Sequence, residues 1–166
     1  MLKQQNKDYF YNCLEVAKTG ERLVTKIFEE KGYTVKDVSD NKEWQEPDID
    51  LLVYKDNKLI HKIEVKTEER ALQTKNVFIE TKSNGKKGWI WKTEADYIYT
   101  VIPNKKIYVI YKDEFVAWFK QNMHNCKSRS SKTTDKNGEL LYNNWGRLVP
   151  LSILDNLEFI YSIPLN

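Results

Sequence analysis

The chain has 166 residues, 40% of them hydrophobic, with 27 lysines and arginines against 24 acids for a formal net charge of +3. That size suits one domain with its own core, and no apolar run approaches the ~18 residues that a bilayer span needs. The net charge is too small to prove a nucleic-acid partner, and the polar start MLKQQNKDYFYN lacks a signal peptide's apolar stretch, so a cytoplasm, bacterial or that of an infected cell, is expected.

A helix is predicted over 8–31, where Phe10, Cys13, Leu14, Ala17, Val24, Ile27 and Phe28 recur at three- and four-residue steps and Gly32 stops it. A short strand over 33–38 follows, and the loop SDNKEWQEP leads into a β-hairpin with strands near 49–54 and 59–66. TEERALQTK reads as a helical turn, NVFIET as a strand and KSNGKKGW as a loop. Strands over 96–102 and 106–111 flank the Pro103-Asn104 turn, and Asp113 caps a helix reaching about Met123. A polar stretch over 125–138 reads as mobile; a short helix over 150–156 and a strand over 158–163 close the chain. The expectation is a single domain over 1–166 with a core over 8–123, a C-terminal extension over 124–166 and a mixed α/β fold.

Cys13 and Cys126 match no zinc spacing, and Cys13, on the apolar side of its helix, reads as a buried reduced thiol. With His61 and His124 the only histidines, a metal here would take carboxylate oxygens, which suits Mg²⁺ or Mn²⁺. Lys82, Lys86, Lys87 and Lys92 follow one another with no intervening acid, and Trp89 and Trp91 interleave them. Such a run can neutralise phosphates and stack on unpaired bases. A second basic run, Lys120, Lys127, Arg129, Lys132 and Lys136, meets Asp135 alone.

The most informative string is PDIDLLVYKDNKLIHKIEVK, residues 47–66. A three-residue turn of Asp56, Asn57 and Lys58 pairs Lys55 with Leu59 and so puts Asp50 opposite Glu64 and Asp48 opposite Lys66. Opposed residues share a face, about 5 Å apart at Cβ; a two-residue turn would reverse the parity. Two carboxylates at that distance repel unless a cation lies between them. Mg²⁺ resolves the repulsion, keeps waters, binds phosphate and acidifies a bound water. Lys66, two residues beyond Glu64, projects from the same face, where it can orient or help deprotonate the attacking water and stabilise developing charge. Glu21 interrupts the apolar stripe of the first helix, a costly place for a charge without a partner, and joins the metal site as a third acid. A second Glu-x-Lys, Glu80-Thr81-Lys82, lies an element further on and cannot share the hairpin; Glu80 is read as secondary and Lys82 as a phosphate contact.

At Pro47-Asp48 and Glu64-Val65-Lys66 the sequence resembles the PD-(D/E)xK nuclease superfamily. Gly20-Glu21-Arg22, with the helix after it, resembles the first helix of archaeal Holliday-junction resolvases and small phage nucleases. The likeness runs over about 19–111. It implies a restriction-endonuclease-like core, a central mixed sheet flanked by helices, that hydrolyses DNA with Mg²⁺ or Mn²⁺. It implies Asp50 and Glu64 as metal ligands with Asp48 and Val65 as further candidates, Lys66 as the catalytic lysine and Glu21 as the helix-borne acid. Asp48 is the literal signature residue, whereas Asp50 directly precedes the apolar strand and is preferred. The partner implied is DNA, branched DNA in the resolvases, which act as symmetric dimers. A restriction or defence nuclease and a nuclease-fold DNA-binding protein without catalysis are the alternatives.

Overall fold

The computed structural model describes residues 2–134 and 140–165, and the side chains from residue 15 on apart from 133, 134 and 141. The expected burial of Cys13, and Asp135 and Lys136 of the second basic run, lie outside the described residues. Helix α1 (Leu2–Glu29) starts six residues before the predicted 8–31 and ends two residues short of it, where Gly32, at φ +81°, turns the chain left-handed while the Gly32 and Tyr33 N–H groups donate to the Glu29 and Phe28 carbonyls. Strand β1 (Thr34–Asp37), helix α2 (Lys42–Gln45), and strands β2 (Leu51–Lys55) and β3 (Lys58–Thr67) follow.

The β2–β3 turn differs from the sequence expectation. It holds two residues, Asp56 and Asn57, at φ 50° and 61°, the left-handed pair that a tight hairpin requires. Lys55 therefore pairs with Lys58, and Tyr54 with Leu59. A β-bulge then absorbs Ile60, so that Val53 pairs with His61 and Leu51 with Ile63. The bulge restores the parity that the shorter turn removes, and the ladder runs on toward Asp50 and Glu64 as a three-residue turn would have it.

After α3 (Ala71–Thr74) the chain leaves this sheet for β4 (Asn76–Ser83) and β5 (Lys86–Lys87), then returns as β6 (Tyr97–Ile102), parallel to β3, and β7 (Lys106–Tyr111). Helix α4 (Lys112–Asn122) starts one residue before Asp113, which lies in its first turn. The segment expected to be irregular forms β8 (Lys127–Thr134), paired with β9 (Leu140–Pro150), a strand the sequence reading did not anticipate. Helix α5 (Leu151–Leu154) and β10 (Ile160–Pro164) complete the chain. The main sheet runs β1-β2-β3-β6-β7-β10, mixed through the parallel β3–β6 pair; the second runs β5-β4-β9-β8, all antiparallel. The C-terminal third thus edges the main sheet with β10 and builds half of the second.

Strand alternation assigns the two faces of the main sheet. Leu51, Val53, Ile63, Val65, Tyr99 and Val101 pack with Val24 and Phe28 of α1. Ile98, Ile102, Tyr108 and Ile110 pack on the other face with Phe115 and Phe119 of α4, Leu154 of α5, and Val77, Ile79 and Val149 of the second sheet. Because Ile63 and Val65 face α1, Glu64 and Lys66 must face the second sheet. No helix among the described residues is long and apolar enough to cross a membrane.

Candidate active site

Glu64 lies at the middle of the main sheet, between β2 and β6, and is 1% exposed. Asp50 precedes β2 on the same face and leaves the regular ladder: its N–H donates to the Ile63 carbonyl at 2.9 Å, and its Oδ2 accepts from the Val65 N–H at 2.7 Å. Asp50, Glu64, Val65 and Lys66 thus form one constellation at the end of two strands. Lys66 Nζ contacts Glu64 Oε1 and lies 5.2 Å from the centre of the Trp89 ring. Glu64 Oε2 is buried with no hydrogen-bond donor among the described residues.

Burial pushes the Glu64 carboxyl up to about 8; Lys66 pulls it down and the charge of Asp50 pushes it further up. Burial likewise raises Asp50, against the pull of Lys66 and of the Val65 N–H. For Lys66, burial favours the neutral amine, but Glu64, Asp50 and Asp48 outweigh it and hold the ammonium form above its ordinary range. Ionising both carboxylates would therefore put more negative charge in the pocket than its one lysine balances.

A divalent cation fits this arrangement. Its donors are hard oxygens, and Glu64 Oε2 has no hydrogen-bond donor among the described residues, which in a buried position is costly unless a proton or a cation takes it. Among the described residues no three His, Cys, Asp or Glu side chains converge as a metal cage. That leaves the two carboxylates Asp50 and Glu64, and Mg²⁺ is commonly bound through one or two carboxylates, keeping several waters.

Two expected contributors have other commitments. Glu21 approaches from α1, on the opposite face of the sheet, and its Oε2 is held by Lys18 Nζ at 3.1 Å and by the Ser39 hydroxyl at 3.0 Å. Burial raises its pKa against the pull of Lys18, and Asp50 raises it further, so it feels the site without entering its inner ring. Gly20 allows this approach, since a Cβ there would meet Thr67 Oγ1 at 2.1 Å. Asp48, at φ 49°, pairs with Lys92 at 2.8 Å. Its charge still reaches Glu64, Asp50 and Lys66.

The first basic run divides. Lys82, Lys86 and Lys87 are exposed on the β4–β5 hairpin. Lys92 is tied to Asp48. Trp89, expected to stack on bases, is instead 8% exposed and backs Lys66, while Trp91 packs on Phe119 with ring centres 5.6 Å apart. The segment 89–91 is a 3-10 turn whose Trp89 is buried in the core and whose Trp91, partly buried, packs against it.

Three residues join the site without having been singled out for it. Glu68 accepts from the Phe78 N–H at 3.3 Å, and burial pushes its carboxyl up to about 7, opposed by that bond and by Lys66. Its signal was available: it lies two residues beyond Lys66, as Lys66 does beyond Glu64. Glu80, read as secondary, comes in from the second sheet close enough to feel Lys66, Asp48 and Lys92, and burial raises its pKa. Lys18, one helical turn before Glu21, ties Glu21 to Asp37 at 3.7 Å and Asp40 at 3.0 Å.

Comparison with known proteins returns no matching family model, no similar curated protein and no similar solved structure.

Proposed function

We propose that this protein is a divalent-metal-dependent DNA endonuclease with a PD-(D/E)xK-type site on a restriction-endonuclease-like core. The observation that carries the reading is the buried Asp50–Glu64 pair, with one Glu64 oxygen lacking a donor among the described residues and Lys66 following on the same face. An ordinary strand-end ion pair would be solvated and stand alone; this one is buried beside a second carboxyl group.

In this reading Asp50, Glu64 and the Val65 backbone carbonyl hold Mg²⁺ or Mn²⁺, which would acidify a water and polarise the scissile phosphate. The chain's own residues do the rest. Lys66 stays an ammonium, because the surrounding carboxylates hold its proton, so it acts by orienting water and stabilising negative charge on phosphate oxygens. The Trp89 ring, facing the Lys66 ammonium, helps fix where that ammonium sits. Val65 N–H fixes the Asp50 carboxylate, and Lys18 with Ser39 holds Glu21 behind it. Selectivity for branched DNA and a symmetric dimer belong to the same proposal.

The test is incubation of plasmid and branched DNA with the protein in Mg²⁺, Mn²⁺ or EDTA. Cleavage should require the metal. Glu64→Gln should lower it on the order of 10²–10³-fold or more with unchanged far-UV circular dichroism. Absence of EDTA-sensitive cleavage on every DNA form would reject the proposal.

A further inference from the structure

The second sheet brings together members of the two basic runs, Lys87 and Lys127 being 40 positions apart in the sequence. Its strands carry Lys82, Lys86, Lys87, Lys127, Arg129 and Lys132, and Glu80 is the one carboxylate among their described residues. Pairing aligns Lys87, Lys82, Trp145 and Ser130 in one row across all four strands. Opposed residues share a face. Two residues further along β8 and β9, Lys132 pairs with Asn143 on that same face. Trp145 is 47% exposed, unlike Trp89, and is flanked by Lys82 on one side and Lys132 diagonally on the other.

We infer that this row is a stacking platform for unpaired DNA nucleotides next to the cleavage site. An exposed indole ring between lysines offers what a single strand presents: a base face for the ring and, about one strand repeat away on either side, phosphates for the ammonium groups. A duplex hides its base faces and would leave Trp145 unused. Proximity to the site follows from β4 itself. Glu80, among the site's carboxylates, and Lys82, in the row, are two residues apart, about 7 Å along the strand. The bulge at Thr81 turns the two side chains to opposite faces, so the strand passes from site to platform within that distance. This inference rests on the nuclease reading for its choice of DNA and gives that reading a substrate class, DNA with a single-stranded segment.

The test measures binding by fluorescence anisotropy, using the Glu64→Gln protein, a short labelled poly(dT) strand and a duplex of equal length. Trp145→Ala should weaken poly(dT) binding about tenfold, as the loss of one base–aromatic stack does, while duplex binding changes less than about twofold. Trp145→Phe, which keeps a ring, should restore most of the single-strand affinity. Lys82→Ala together with Lys87→Ala should reduce the slope of log K against log salt by about 0.7 for each lysine. Unchanged poly(dT) binding by Trp145→Ala, or equal losses on strand and duplex, overturns the inference. If the wild-type protein cleaves no DNA yet binds poly(dT) through Trp145, the hydrolase proposal fails and the platform stands. If it cleaves DNA while Trp145→Ala binds poly(dT) as before, the platform alone falls.

Discussion

Glu64 holds its proton to about pH 8 in the metal-free protein because burial outweighs the pull of Lys66, and Glu68 holds its own to about pH 7. An unfolded chain releases both protons near the ordinary value of 4.5. Between that pH and 8 the unfolded state therefore carries fewer protons than the native one, and stability, complete below 4.5, falls as pH rises. Urea unfolding of metal-free protein at about pH 5 and about pH 8.5 should show the lower midpoint at the higher pH. Glu64→Gln should flatten that dependence; a midpoint that rises with pH would contradict the burial argument. Metal affinity should run the other way, strengthening over the same interval, because the ligands must lose those protons first. Glu64 and Lys66 were legible in the sequence because a strand's period of two puts them on one face, and Asp50 because the hairpin register brings it opposite Glu64. Glu80 and the ring of Trp89 were not, since what brings them to Lys66 is the stacking of a second sheet on the first, which no local spacing records.

At the scale of elements, the hairpin that carries the site was read with the right register and the wrong turn. Asp56 and Asn57 make the tighter turn, and Ile60 is the surplus residue that returns the strands to phase. Deletion of Ile60 should thus leave a regular hairpin in which Asp50 still opposes Glu64. The expected result is metal-dependent cleavage within about tenfold of wild type and a stability change of about 1 kcal/mol or less, since Ile60 is 36% exposed. Loss of the fold on that deletion would show that the bulge has a structural role of its own. The strand β8 escaped prediction for a related reason. KSRSSKTT alternates nothing apolar, so its strand character comes from β9, and β9 in turn is recognisable only once Val149 is seen to cover Val77.

For the whole molecule, one apolar cluster joins the second sheet, α4, α5 and one face of the main sheet, so the two sheets should unfold together. Phe115, fully buried and stacked on Phe119 at 5.9 Å, is central to that cluster. Phe115→Ala should cost about 3–5 kcal/mol and lower the thermal midpoint equally by circular dichroism and by tryptophan fluorescence; two separated transitions would show that the sheets are independent. The parallel pairing of β3 with β6 has a consequence for biosynthesis. The hairpin bearing Asp50 and Glu64 can close as soon as it leaves the ribosome, but β3 keeps a bare edge until residues 97–102 have emerged, and β8 and β9 arrive later still. The nascent chain therefore assembles its acidic pair early and the basic wall beside it last, so tight hold on a polyanion must await nearly complete translation.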